Sequence, residues 1–553
     1  MSVKSFEAPN PAGWWTDAVI YQIYPRSFAA STSSGVGDLR GITHRMPALA
    51  SLGVDAVWLS PFYRSPQNDA GYDVADYLDT DPLFGTLDDF DHMAKTAHDL
   101  GLKVIVDLVP NHSSSEHEMF KAALASEPGS PERAMYMFRD GLGDQGELPP
   151  NNWQSVFGGP AWTRTTTPDG TPGQWYLHLF DTSQPDFDWT NEKVWDFFDN
   201  VLRFWLDRGV DGFRIDVAHG LIKEAGLPDL PDVDGVIGAA DNVGPYWDQP
   251  GVHAVYRRWR KVLAEYGPDR ILAAEAWVQP LSKMAHYVRP DEMHQAFNFG
   301  YLVTKWKAQD LRDIITESLD AFHGVGAPST WVLSNHDVIR HTSRLALGDA
   351  LENHWEGLGP RSPQQPDPAV AETVGRAATT LMLALPGSSY LYQGEELGLP
   401  EVVDIPDEAR QDPTFWRTQG ARWGRDGCRV PLPWEKDAPT FGFAPGGDPW
   451  LPQPPIFGEL ARDQQEGDPE SSLSLYRHLL ATRKQFGLGR GALSFVDGYP
   501  SDVVAFDNGP IRVVANLGDA PVDIPAGDIV ASSTTTLTNQ LASNQVVWVK
   551  REA

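Results

Sequence analysis

Short, nearly continuous apolar runs rich in Val, Ile, Leu and Trp punctuate the chain. They cover Ala18–Ile23, Asp55–Leu59, Lys103–Leu108, Gly212–Val217, Ile271–Ala276, Gln295–Phe299, Trp331–Ser334 and Ser389–Tyr392. None alternates apolar with polar residues, and a strand buried on both faces needs no such alternation. Helical patterns lie between most of them, for example over Thr86–Leu100, Asn191–Arg208 and Val252–Tyr266. Eight such strands alternating with helices predict an α/β fold, a (β/α)8 TIM barrel.

The spacing is uneven. About a hundred residues separate the third run from the fourth, far more than one helix requires, and the stretch Asn151–Trp189 is rich in Trp, Phe, Gly and Pro. It predicts an inserted subdomain B at 111–190, with the barrel occupying 1–110 and 191–487. Long loops follow the fourth run (Leu221–Pro250), the seventh (Ala346–Pro368) and the eighth (Gly398–Asp468). All leave the C-terminal ends of strands, the face on which barrel enzymes build their sites. An amphipathic helix over Ser471–Gln485 closes the barrel pattern. Beyond Gly487, short runs at Val496, Val503–Phe506, Ile511–Val514 and Val546–Val549 are divided by Gly, Pro, Asn and Asp. They predict a C-terminal antiparallel β-domain, a β-sandwich, at 488–553.

Composition narrows the partners. The 553 residues include 44 basic and 75 acidic side chains, a formal charge of −31, which repels nucleic acid and anionic lipid. No run of about 18 apolar residues exists to span a membrane, and Met1–Trp15 lacks the apolar core of a secretory signal, so a cytoplasmic protein is expected. A single cysteine, Cys428, excludes an intramolecular disulfide framework and a four-cysteine zinc site. Monomer and homodimer both remain open.

Candidate chemistry sits at the ends of the apolar runs: Asp107-Leu-Val-Pro-Asn111-His112, Gly212-Phe-Arg214-Ile-Asp216-Val217, Ala274-Glu275-Ala-Trp277, Ser334-Asn335-His336-Asp337 and Tyr392-Gln-Gly394-Glu395-Glu396. A barrel brings these ends to one rim. Asp216, Glu275 and Asp337 would then converge with Arg214, His112 and His336. Three carboxylates among aromatic side chains suit glycoside hydrolysis, in which one attacks carbon, one protonates the leaving oxygen and a third holds sugar hydroxyls. Arg214, two residues before Asp216 on a strand, faces the same way and is expected to keep Asp216 ionised. Glu275 must carry a proton near neutrality, and neighbouring carboxylates with Trp277 are its expected support. Taken singly, Asp107 reads equally well as a helix cap and the histidines as structural. The same residue types also suit a metal-dependent barrel hydrolase, but no His-x-His follows the first run.

These motifs, in this order, resemble those of the α-amylase family (glycoside hydrolase family 13), and specifically its α-glucosidase and oligo-1,6-glucosidase branch. The resemblance extends over nearly the whole chain and includes Gln184-Pro-Asp-Phe-Asp-Trp189. It implies that Asp216 is the nucleophile, Glu275 the general acid/base and Asp337 the transition-state stabiliser. It further implies that His112, Arg214 and His336 hold the first sugar. Asp69 and Tyr72, in Asn68-Asp69-Ala-Gly-Tyr72-Asp73, match the aspartate that binds the terminal glucose and the tyrosine that stacks on it. Arg429, in Arg-Val-Pro-Leu-Pro-Trp434, matches the arginine paired with that aspartate. Together these two would close the pocket behind the non-reducing end, implying exo action on short α-glucosides. Phe157, Phe180 and Gln184 fall where relatives line the pocket and its entrance. Val217 resembles the residue type of enzymes that cleave α-1,6 links, although a β-branched strand residue is an equally good account of it. Relatives often carry a metal loop after the first strand. Here the loop reads Ala30-Ser-Thr32-Ser-Ser34-Gly-Val-Gly37-Asp38. It lacks the charged oxygens a hard cation needs, so no metal and no cofactor are expected. A transglycosylating relative, such as a trehalose synthase or α-glucosyltransferase, would carry the same triad and is the alternative. A non-catalytic transporter heavy chain would carry a membrane anchor.

Overall fold

The computed structural model describes residues 5–7, 9, 13–167, 169–230, 244–351 and 353–552. Most of Met1–Trp15 and the centre of the loop Leu221–Pro250 thus lie outside the described residues. The chain forms two compact units, one of Met1–Leu59, His92–Val104 and Phe297–Ala553, the other of Ser60–Asp91 and Ile105–Ala296.

All eight apolar runs form parallel strands: β1 (Val19–Ile23), β2 (Ala56–Leu59), β3 (Lys103–Leu108), β4 (Gly212–Ile215), β5 (Ile271–Ala274), β6 (Gln295–Ala296), β7 (Thr330–Val332) and β8 (Ser388–Tyr392). Every residue of β1, β2, β4, β5 and β8 is buried, which explains why the runs carry no polar alternation. In the first unit the ladder runs β2-β1-β8-β7; in the second it runs β3-β4-β5-β6. With helices following the strands, the chain has the (β/α)8 TIM-barrel fold and a C-terminal antiparallel sheet.

Local chemistry sets the element ends. The helix Glu192–Asp207 starts at Asn191, whose side chain accepts from Lys193 N–H, and buries Val194, Phe198, Val201, Leu202 and Trp205 at helical spacing. The helix Leu39–Leu52 is capped by Asp38 and ends at Gly53 with φ 99°, a left-handed turn that glycine adopts without strain. The sixth run is mostly not strand. Asn298 caps a short helix, Phe299–Val303, and cuts β6 to two residues. The fourth run was expected to reach Val217 but ends at Ile215, because Val217 turns into the left-handed region.

Within the first unit the C-terminal sheet has six antiparallel strands: Ser5–Phe6, Leu493–Phe495, Val503–Asn508, Ile511–Asn516, Gln545–Lys550 and Asp528–Ser532 in spatial order. Its edge strand comes from the N-terminal segment, with Ser5 opposite Ser494 and Phe6 opposite Leu493. Trp548 Nε1 donates to Thr380 O at 3.0 Å and ties the sheet to the helix Pro368–Leu383. Within the second unit, Phe138–Arg139, Pro172–Leu177 and Trp162–Thr166 make a three-stranded antiparallel sheet over a core that includes Trp153, Trp162, Leu177 and Leu179. Among the described residues no helix is long and apolar enough to cross a membrane.

Candidate active site

The ladder continues past the strand ends in the second unit. Asp216 N–H donates to Leu108 O at 2.9 Å, and Glu275 N–H donates to Ile215 O at 3.0 Å. Two carboxylates are thereby set on neighbouring strand tips. Between them lies Arg214 of β4, 2 % exposed. Its Nη1 donates to Asp107 Oδ1 at 2.9 Å and to Asp216 Oδ1 at 2.5 Å, and its Nη2 reaches Glu275 Oε2 at 2.8 Å. Asp107 is therefore a member of the cluster and not a helix cap. Its Oδ2 accepts from Tyr72 Oη–H at 3.2 Å.

One cation thus serves three carboxylates. Burial pushes Asp216 well above the usual carboxylate range, the charges of Glu275 and Asp107 add to this, and Arg214 opposes it. Asp107 is likewise pushed by burial to about 7 against the pull of Arg214. Arg214, expected to keep Asp216 ionised, thus works against desolvation and two like charges.

A second chain of contacts adjoins the cluster. Gln184 Nε2 donates to Asp69 Oδ2 at 3.1 Å and lies 3.2 Å from His112 Nε2, which itself meets Tyr72 O at 3.2 Å. Burial lowers the pKa of His112, so its ring is neutral near pH 7. The ring of His112 lies 5.0 Å from that of Phe180, and Phe180 meets Phe157 edge-on at 5.7 Å. Asp69, Tyr72, His112, Phe157, Phe180, Gln184, Arg214, Asp216 and Glu275 thus form one connected set. Behind them, Lys223 Nζ contacts Asp186 Oδ2 and Asn111 Oδ1, each at 2.8 Å, and all three side chains are buried.

The first unit holds Asp337, His336 and Arg429. Asp337 Oδ1 accepts from Arg429 Nη2 at 2.8 Å and from Arg425 Nη1 at 3.1 Å, and its Oδ2 lies 3.2 Å from His336 Nε2. Arg429 Nε donates to His336 O at 2.7 Å. Gln22 Nε2 meets His336 Nδ1 at 2.7 Å, and Tyr24 stacks on the His336 ring at 5.6 Å. Arg425 in turn is held by Asp412 Oδ2 at 2.7 Å, and the arginines keep that buried carboxylate ionised well below its ordinary range against the cost of burial. Sequence reasoning missed Arg425, Asp412, Gln22 and Tyr24. Arg425 had a usable signal, since it precedes Arg429 by four residues, one helical turn.

Asp38, the acid at the end of the first loop, is fully engaged within the protein. Its Oδ1 accepts from Gly41 N–H, and its Oδ2 accepts from the N–H and hydroxyl of Ser31. Among the described residues no group of three or more His, Cys, Asp or Glu side chains is arranged to hold a metal ion.

The family model of the alpha amylase catalytic domain matches residues 22–488. A probable alpha-glucosidase of Rhizobium meliloti (strain 1021) is 38% identical over 503 residues, 88% of this chain and 85% of the relative. The oligo-1,6-glucosidase of Parageobacillus thermoglucosidasius is 35% identical over 505 residues, 85% of this chain and 84% of the relative. Among solved structures, the alpha-glucosyl transfer enzyme XgtA superposes with a TM-score of 0.83 at 35% identity, covering 98% of this chain and 99% of that one. With Arg214, Asp216 and Glu275 gathered at adjacent strand tips inside the matched region, the chain belongs to the α-amylase family of glycoside hydrolases.

Proposed function

We propose that the protein is a retaining, exo-acting α-glucosidase that releases α-glucose from the non-reducing end of short α-glucosides of the maltose and isomaltose type. Asp216 attacks the anomeric carbon while Glu275 gives its proton to the departing oxygen, leaving a β-glucosyl ester on Asp216. Glu275, now ionised, takes a proton from water. That water attacks the same carbon, the ester bond breaks, and α-glucose leaves. Asp337 stabilises the charge on the ring in the transition state. Asp69 and Arg429 close the pocket behind the terminal glucose, Tyr72 stacks on its ring, and His112, His336 and Gln184 hold hydroxyls. Phe157 and Phe180 line the entrance.

The observation that carries this reading is that Asp216 and Glu275, on neighbouring strand tips, bind the same guanidinium at 2.5 and 2.8 Å. Retaining enzymes keep their two carboxyl groups about 5–5.5 Å apart, whereas inverting enzymes separate them further to admit a water. Carboxyls held on one guanidinium fit the former. The proposal carries with it a cytoplasmic monomer or homodimer that needs no cofactor, with 111–190 as subdomain B. The likeness to a glucosyl transfer enzyme supports a second reading, in which a sugar hydroxyl replaces water. Product analysis on maltose, isomaltose, sucrose and trehalose, with the released anomer followed by NMR, decides between them. Free α-glucose as the first product supports hydrolysis, isomeric disaccharides support transfer, and β-glucose as the first product overturns retention.

A further inference from the structure

The two oxygens of Glu275 are not equivalent. Oε2 lies 2.8 Å from Arg214 Nη2 and accepts from Val217 N–H at 3.1 Å. A carboxylate oxygen offers two lone-pair positions, so these donors use both. Oε1 accepts from the indole Nε1–H of Trp277 at 3.2 Å. Trp277 follows Glu275 by two residues, just beyond the end of β5.

The arrangement at Oε2 is held against strain. Val217 has φ 46°, a left-handed backbone that a β-branched residue rarely adopts. The turn is closed by Gly220 N–H on Val217 O at 2.9 Å. It leaves no room for a larger residue at position 220, where a Cβ would stand 2.7 Å from Val217 Cγ1. In this conformation Val217 N–H points at the acid/base instead of into the ladder. Ala218 N–H bonds to Glu275 O at 2.8 Å and secures the same residue by its backbone.

We propose that the protein selects Oε1 of Glu275 as the proton-transferring oxygen, and that Trp277 is the positioning residue that orients this oxygen. Oε2 is occupied by Arg214 and by the strained Val217 N–H, so the proton that leaves with the aglycone oxygen departs from Oε1. Trp277 then donates its indole N–H to the oxygen that has just lost the proton. This rests on the proposed role of Glu275 and adds an assignment of which oxygen acts and what holds it. Within its unit Glu275 faces the charges of Arg214, Asp216 and Asp107, and the neutral donors Val217 N–H and Trp277 Nε1–H.

The test compares wild type with Trp277→Phe, which keeps an aromatic ring and removes the donor. Each is measured on maltose, whose leaving group needs a proton, and on 4-nitrophenyl α-glucoside, whose leaving group hardly does. An acid whose proton-bearing oxygen is misplaced costs most where the leaving group needs that proton. The expected result is at least a tenfold greater loss of kcat/KM on maltose than on the aryl glucoside. Trp277→Gln, whose side-chain amide can donate, restores part of the loss on maltose. If the Phe variant does not fold, Trp277→Leu carries the same comparison. Equal losses on the two substrates overturn the inference while leaving the α-glucosidase reading intact. A wild-type protein inactive on both substrates overturns the reading and the inference with it.

Discussion

Arg214 shows how much one side chain can impose. It binds Asp107, Asp216 and Glu275 at once, while burial, joined by like charge, pushes Asp107 and Asp216 above the usual carboxylate range. Asp107 contributes to this as a like charge next to Asp216. Replacing Asp107 with Asn removes that charge but keeps a polar side chain of the same size. Asp216 then ionises more readily, so the acidic limb of kcat/KM should move to lower pH. An acidic limb that stays in place or rises would contradict this account. The sequence made Asp216, Glu275 and Arg214 legible because each stands at the end of an apolar run. It left Asp107 undecided, since an acid after a strand caps a helix as often as it joins a site. It hid Asp412 and Gln22, whose roles depend on partners far away in the chain.

At the scale of elements, three loops are tied behind the cluster by buried polar groups. Lys223, from the loop after β4, meets Asp186 of the inserted segment and Asn111 of the loop after β3. Burial lowers the pKa of Lys223, and Asp186 opposes this. Lys223→Met fills similar space but strands the Asp186 carboxylate, and breaking a buried pair in this way costs about 3–5 kcal/mol. The expected outcome is a lower melting temperature and faster proteolysis within 111–190, with both effects reversed by Lys223→Arg in part. Unchanged melting would show that the pair contributes nothing. Periodicity alone located all eight barrel strands, because strands buried on both faces leave an unmistakable apolar run. It did not find the three-stranded sheet of the inserted segment, where Pro172–Leu177 and Trp162–Thr166 are half-exposed and polar. Nor did it find the edge strand Ser5–Phe6, which is two residues long and pairs with a segment almost five hundred residues away.

Over the whole molecule, buried titratable groups decide how stability depends on pH. Burial lowers His117, His323 and His354 to about 4 and His341 to about 3. Between those values and the ordinary histidine range the unfolded chain binds protons that the folded one refuses, so these groups favour folding as pH rises to about 6.5. Burial raises Asp73 to about 6, Asp107 and Glu401 to about 7, and Glu395 to about 8. Here the folded protein holds protons the unfolded chain has lost, so stability falls as pH climbs from about 4 through each raised value. Below pH 6.5 the two sets oppose each other. Above it only the carboxyls remain, at about 1.4 kcal/mol per pH unit for each group still titrating. The net charge of −31 adds self-repulsion in the same direction, and salt screens it. Melting should therefore decline from pH 6.5 to 8 even in about 1 M salt, where charges more than about 3 Å apart are screened. Glu395 has the highest value of these four carboxyls, and its Oε1 accepts from Tyr392 N–H at 2.9 Å, a bond that glutamine can also accept. Glu395→Gln cannot titrate, so its melting temperature should fall less steeply across that window than that of wild type. Parallel slopes in the two proteins would mean that Glu395 is already ionised in the fold.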